Sequence, residues 1–426
     1  MSARIESVEV HLHSPTLGPD ALVGRLHQRR ARGEGTLSFR YDGDWLRSAR
    51  AFMLDPRLEL YGGEQFPAAG REVFGIFLDS APDRWGRLLL DRREALAAQE
   101  EGRRPAALTD WDYLLGVQDE CRMGALRFRA KRDTPFLAQE STPVPPLASL
   151  AELESVSLAL EQDHAEDLPE YRRWLAMLVA PGTSLGGARP KANYREGRGT
   201  LWIAKFPSRE DRRDVGAWEH LLYRLAAACG IEVAPCAMRR FNSRHHTFCV
   251  RRFDRAQEDR LFFVSALTLL DRKDGEGGSY LEIAEFIQRA GAKDGIEADL
   301  QQLFRRLLFN VLVGNTDDHL RNHGFIREPS GWRLAPAYDL NPNPARREHT
   351  LKLDEHSDLP DLGAVLATAP FYRLKPAAAN KLLGQLRGVV AGWRKRARAA
   401  RLGAAEIAAV APAFVLADTA PAGRGV

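Results

Sequence analysis

An α+β fold with a strand-rich lobe, a helical lobe and an added N-terminal α/β subdomain is predicted by three observations. Strand-like alternation occurs near both ends of the first 255 residues, whereas apolar residues at helical spacing dominate from about residue 256 onward. A proline-rich break, Asp133–Pro146, divides the first of these regions. The length of 426 residues fits two to three domains, at roughly 150 residues each.

The elements follow in order. IESVEVHL (5–12) and TLSFRYD (36–42) alternate like strands, and RWGRLLLDRREALAAQEEG (84–102) reads as a helix with Pro82–Asp83 at its start. DTPFLAQESTPVPP carries prolines at 135, 143, 145 and 146, which disfavour regular structure, so 133–146 is expected to be a linker after an N-terminal subdomain of residues 1–132. LASLAELESVSLALEQ (147–162) is helical. Strands are expected in GTLWIAKFP (199–207) and HHTFCVRRFD (245–254), with the helix VGAWEHLLYRLAAACG between them closing at Gly230. Residues 147–255 therefore form the strand-rich lobe and 256–412 the helical one. In the latter, Leu303, Phe304, Leu307, Leu308, Val311 and Leu312 share one helical face, and GWRKRARAARLGAAEIAAV (392–410) is a basic helix ahead of a frayed tail, 413–426.

Composition narrows the function classes. Hydrophobic residues make up 44% and charged residues 28%, which excludes a disordered or fibrous chain. The formal charge of +4 is too diffuse to indicate nucleic-acid binding. No apolar run approaches 18 residues, and MSARIESVEVHLHS lacks the apolar core of a secretory signal, so a cytoplasmic protein without membrane contact is expected. The four cysteines form no CxxC pair, so reduced, mostly buried thiols are expected.

Chemistry concentrates in 310–340. A buried helix ends at Val313–Gly314, a polar loop Asn315-Thr-Asp-Asp-His-Leu-Arg-Asn322 follows, then two short strands around Glu-Pro-Ser-Gly, then Asp339. Helix, acidic loop, hairpin and acid is the order in which protein kinases set a hydroxyl-orienting Asp, a metal-binding Asn and a second Asp on Mg²⁺. Asp317-x-x-x-x-Asn322 has the required spacing, and spacing to Asn322 favours Asp317 over Asp318 as the base. A carboxylate and an amide oxygen suit a hard cation. Upstream, Gly182-Thr-Ser-Leu-Gly-Gly-Ala-Arg-Pro-Lys191 is a glycine-bearing loop flanked by cations. Lys205 ends the apolar strand Leu201-Trp-Ile-Ala, and Glu219, 14 residues on, lies on a helix where it could pair with Lys205. The loop is not G-x-x-x-x-G-K-[ST], which disfavours a P-loop NTPase.

With these residues assembled, S-L-G-G-A-R-P-K (184–191), RRFDR (251–255), GNTDDHLRN (314–322) and LAPAYDL (334–340) resemble the signature blocks of the HipA-type serine/threonine kinases, the toxin halves of bacterial toxin–antitoxin pairs. FGIFLDSAPDRWGRLLLDRRE and YLLGVQDECRMGALRF are similar to that family's amino-terminal subdomain, so the resemblance spans about residues 50–345. It implies a two-lobed protein-kinase-like fold with a mixed N-lobe and an all-helical C-lobe. It further implies ATP and Mg²⁺ as cofactors, Asp317 as catalytic base, and Asn322 and Asp339 as metal ligands. Ser184, Gly186, Gly187, Lys191, Lys205, Arg251, Phe253 and His319 would contact ATP, with Arg251–Phe253 as the adenine hinge. Ser184 falls where the family autophosphorylates, and Thr183 is a second phosphosite candidate. The implied partners are a protein substrate, with aminoacyl-tRNA synthetases the precedent, and a small helix-turn-helix antitoxin that brings the kinase to operator DNA. Growth inhibition by phosphorylation of that substrate would be the outcome.

Two other readings use the same residues: a kinase-fold phosphotransferase acting on a small molecule, and a catalytically weak antitoxin-linked co-repressor. Retention of Lys205, Asp317, Asn322 and Asp339 argues against the latter. His245-His246-x-x-Cys249 lacks a second cluster and is set aside as a metal site. The basic run Trp393–Arg401 and the arginines at 25, 29, 30 and 32 read as solvated faces, with phosphate-backbone contact the sharper alternative. Trp85 and Leu88–Leu90 read as subdomain core.

Overall fold

A computed structural model describes residues 6–31, 34–138, 144–182, 187, 189–197 and 199–418. The chain forms two compact units. The first comprises Met1–Glu210, Arg240–Arg244 and Cys249–Val264, and the second Asp211–Arg239, His245–Phe248 and Ser265–Val426.

The first unit opens on a four-stranded antiparallel sheet in the order Glu34–Tyr41, Ala21–Ala31, Ser7–Leu12, Leu126–Arg129. Val8, Val10 and Leu12 fill one face, as the alternation requires. Glu9 and His11 on the other face are also buried, because Arg25 and Arg129 reach Glu9 at 2.8 and 3.3 Å. The strand Ala21–Ala31 escaped the sequence reading, since its RLHQRR run has too few apolar residues to show a period. The helix Arg84–Glu100 begins where Pro82–Asp83 place it: the Asp83 carboxylate caps the Arg84 N–H at 2.5 Å, and Trp85, Leu89 and Leu90 face inward.

The expected linker is only partly a spacer. Residues 139–143 lie outside the described residues, but Val144 is buried with Cys121 and Leu201. The Pro145 carbonyl accepts the Arg195 N–H at 2.9 Å, and Pro146 bridges to Arg195 as a parallel strand residue. Proline removes a donor but keeps its acceptor, so a Pro-rich segment can still edge a sheet. The strands Lys191–Glu196 and Thr200–Lys205 form an antiparallel pair in which Lys191 stands directly opposite Lys205.

In the second unit the helix Ile296–Val313 is central, and its predicted apolar face, Leu303 to Leu312, is fully buried. The unit is not purely helical: it contains the hairpin expected around Glu-Pro-Ser-Gly, and so departs from the all-helical lobe that the resemblance implies. Gly324–Glu328 and Gly331–Leu334 pair antiparallel, and Gly278–Ser279 pairs parallel with Leu351–Lys352. The basic segment 392–410 is two helices, Trp393–Ala399 and Ala404–Val410, separated where Arg401 adopts φ 62°. Trp393 is buried and its ring stacks on Phe414 at 4.1 Å, whereas Lys395, Arg396 and Arg398 are exposed. The chain is helical at Val415–Asp418.

Among the described residues, no helix is long and apolar enough to cross a membrane. None of the four cysteines forms a disulfide, and burial pushes the thiols of Cys121, Cys229 and Cys236 upward in pKa.

Candidate active site

The helix Ile296–Val313 stops because Gly314 turns left-handed, at φ 60°. A Cβ at this position would lie 2.5 Å from the Ala413 carbonyl oxygen, so both the conformation and the space demand glycine. Gly314→Ala is expected to cost about 1–3 kcal/mol of stability, read as a lower urea midpoint.

Beyond this glycine the two adjacent acids separate. Asp318 is only 3% exposed, and its Oδ2 accepts from the Tyr280 hydroxyl, from Asn310 Nδ2 at 2.9 Å and from His323 Nε2 at 3.0 Å. Burial alone raises this carboxyl, but the His323 charge and the His323 and Tyr280 hydrogen bonds outweigh it and hold the group below the usual carboxylate range. The network continues: Asn315 Nδ2 donates to Asn310 Oδ1 at 3.1 Å, and Asn341 N–H donates to Asn315 Oδ1 at 3.3 Å. Asp318 thus bolts the loop to two helices. The Asp317 side chain, one residue earlier, is left exposed.

Asn322 closes the same loop. Its Nδ2 donates to the Asp317 carbonyl at 3.1 Å, which fixes the amide orientation and turns Oδ1 elsewhere as an acceptor. Asp339 is half-buried, with a left-handed backbone at φ 58°, a conformation that Asp tolerates better than most residues. Its neighbour Tyr338 donates to the Arg321 carbonyl at 2.6 Å, tying this segment to the turn that carries Asn322. Asn322 and Asp339 supply the amide and carboxylate oxygens that a hard divalent cation takes, so these residues fit Mg²⁺. His319 is partly buried, and its Nδ1 has no hydrogen-bond partner. Glu219 is buried on the helix Val215–Ala228 of the same unit.

The remaining candidates lie in the first unit. Thr183, Ser184 and Gly186 fall outside the described residues. Gly187 has φ 92°, and Lys191 is 2% exposed although it begins a strand. Lys191 and Lys205 occupy one register position of the antiparallel pair. Arg251 is exposed, and the Phe253 ring meets Phe263 edge-on at 5.5 Å.

Sequence reasoning overlooked the charged residues between and beside these two. Arg252 grips Asp254 through Nε at 2.8 Å and a second nitrogen at 2.6 Å, and also donates to Asn193 Oδ1 at 2.9 Å and to the Cys121 carbonyl. Asp254 further accepts from Arg255 at 2.5 Å and from the Gly124 N–H at 2.8 Å. RRFDR is therefore largely a buried ionic clasp on residues 120–124. Tyr280, Asn310 and His323 were missed as well. Only His323, directly after Asn322, had a local signal; Tyr280 is 38 residues from Asp318.

In the HHxxC run, which the sequence reading set aside as a metal site, His246 Nδ1 meets the Asp214 carboxylate at 2.5 Å. No group of three or more His, Cys, Asp or Glu side chains suited to a metal occurs among the described residues.

Residues 183–393 match the HipA-like C-terminal domain family. Over 188 residues the chain is 29% identical to the serine/threonine-protein kinase toxin HipA of Shewanella oneidensis, covering 38% of this chain and 43% of that protein. Over 152 residues it is 32% identical to Y4mE of Sinorhizobium fredii, covering 32% of this chain and 33% of that one. These matches span less than half the length of either curated relative. Among solved structures, Shewanella oneidensis HipA in its complex with HipB and operator DNA superposes with a TM-score of 0.64 at 19% identity, over 96% of this chain and 95% of that one. At that identity the likeness establishes the α+β HipA fold.

Proposed function

Because this chain belongs to the HipA-type family, we propose that it is an ATP- and Mg²⁺-dependent kinase that phosphorylates a protein Ser or Thr as the toxin of a toxin–antitoxin pair. The reading is supported above all by the opposite environments of two neighbouring acids. Asp318 is spent on holding the loop, so Asp317 is presented to solvent on a backbone that cannot wander. A substrate hydroxyl meeting that carboxylate is oriented and loses its proton late, which is all that a loose phosphoryl-transfer transition state asks of a base.

Asn322 and Asp339 hold the magnesium, whose charge offsets that of the phosphates. Lys191 and Lys205 supply positive charge for the phosphates, and His319 contacts the nucleotide. Arg251–Phe253 borders the adenine. Ser184 is the autophosphorylation site: a phosphate there adds roughly −1.5 to −2 charge and repels the nucleotide's own phosphates. The partner is a small helix-turn-helix antitoxin, through which the kinase reaches operator DNA, and the target is a protein of the aminoacyl-tRNA synthetase kind.

Incubation with Mg·ATP followed by mass spectrometry tests the activity. One added phosphate on Ser184 in the wild type, absent in Asp317→Ala, is the expected result; absence of nucleotide binding would return the chain to a co-repressor. Asp339→Asn is expected to weaken Mg²⁺-dependent ATP binding at least tenfold, and Asp317→Asn to leave it within about twofold, because only the former removes a metal ligand. Equal losses in a calorimetric titration would contradict these roles.

A further inference from the structure

The helix Arg84–Glu100 belongs to the N-terminal subdomain, which has no part in the roles assigned above. Its first residues nevertheless hold the end of the glycine-bearing loop. The Asp83 carboxylate caps the helix and also accepts the Gly187 N–H. Trp85 adds two bonds: its backbone N–H donates to the Gly187 carbonyl at 3.4 Å, and its indole Nε1–H donates to the Lys191 carbonyl at 3.0 Å. Trp85 is 2% exposed. A purely apolar role would be served as well by Phe, but the indole instead spends a buried donor on a strand more than 100 residues away.

The consequence reaches an ammonium group. Gly187 has φ 92°, and a Cβ built on it would stand 2.9 Å from Lys191 Nζ. The pinned glycine and the lysine head are therefore packed against each other. Lys191 carries its charge on a stem of four rotatable carbons, and only its surroundings decide where that charge stands. Here those surroundings include Gly187, fixed by Asp83 and Trp85, and the Lys191 backbone, fixed by Trp85.

We propose that Asp83 and Trp85 are positioning residues for Lys191, so that the N-terminal subdomain sets the affinity of the site for a nucleoside triphosphate. This inference rests on the phosphotransfer reading above. It assigns the subdomain a direct part in nucleotide binding: moving the first turn of the helix Arg84–Glu100 would move Gly187 and the Lys191 charge with it.

Two full-length variants test it. Trp85→Phe keeps a buried aromatic ring and deletes the indole donor. Asp83→Ser keeps a good helix cap, but its side chain is one bond too short to serve Gly187 as well. The expected result for each is a KM for Mg·ATP raised about tenfold, with kcat within about twofold and a thermal midpoint close to wild type. Hydrogen–deuterium exchange of the nucleotide-free protein should also accelerate at the Gly187 amide. Wild-type Mg·ATP binding together with an unchanged KM in both variants would overturn the positioning role, as would a fall in kcat that merely tracks a fall in thermal midpoint. A wild-type protein that binds no Mg·ATP would instead remove the phosphotransfer reading on which the proposal stands.

Discussion

Asp318→Ala is expected to destabilise the protein by about 3–5 kcal/mol, while Asp317→Ala leaves stability unchanged and lowers phosphoryl transfer by about 10²–10⁴-fold. The two residues are adjacent and chemically identical, so the contrast comes from surroundings alone. Removing the Asp318 carboxylate takes the buried acceptor from the Tyr280 hydroxyl and His323 Nε2 and leaves Asn310 Nδ2 only its bond to the Tyr280 oxygen. It also releases the loop on which Asp317 and Asn322 ride. Removing the Asp317 carboxylate costs no buried partner, because that side chain is exposed. Urea unfolding and a radiolabelled-ATP transfer assay on both variants separate the outcomes. Equal destabilisation, or activity that survives in Asp317→Ala, would reverse the roles of the two acids.

Asp254→Ala is expected to cost a comparable 3–5 kcal/mol, although Asp254 belongs to no catalytic step. Its carboxylate is fully buried between Arg252 and Arg255 and also accepts the Gly124 N–H. Burial raises the carboxyl, but the two guanidinium charges outweigh that effect and hold it well below its ordinary value of 3.8. A carboxyl depressed in the folded state stabilises fully above its unfolded value and loses that contribution as the pH falls toward the folded one. The stability gap between wild type and Asp254→Ala should therefore be constant near neutrality and shrink progressively below about pH 4. A gap that stayed constant to pH 2, followed by urea midpoints, would mean that the clasp does not depend on its charge.

These two sites also show where sequence reading stops. The Asp317–Asn322 spacing, the apolar face of Ile296–Val313 and the glycine after it are local relations, readable because helix period and loop length act over a few residues. The break within 392–410 was not readable in this way. Its Ala- and Arg-rich sequence suits a continuous helix, yet Arg401 turns left-handed between the two helices, while Trp393 stacks on Phe414 beyond the break. RRFDR was legible as a motif, but its charges could be read only as surface or ligand contacts, since nothing nearby shows that carbonyls of residues 120–124 would surround them.

By itself, the order of residues determined many of the element types and the family likeness, because both are carried by short-range pattern. Tertiary structure decided which of two neighbouring acids is buried, which arginines are internal, and that Trp85 reaches Lys191. Burial and hydrogen-bond partners are properties of groups that meet only after folding. An aspartate's charge, exposure and role therefore depend on side chains such as Tyr280, which lie dozens of residues away along the chain.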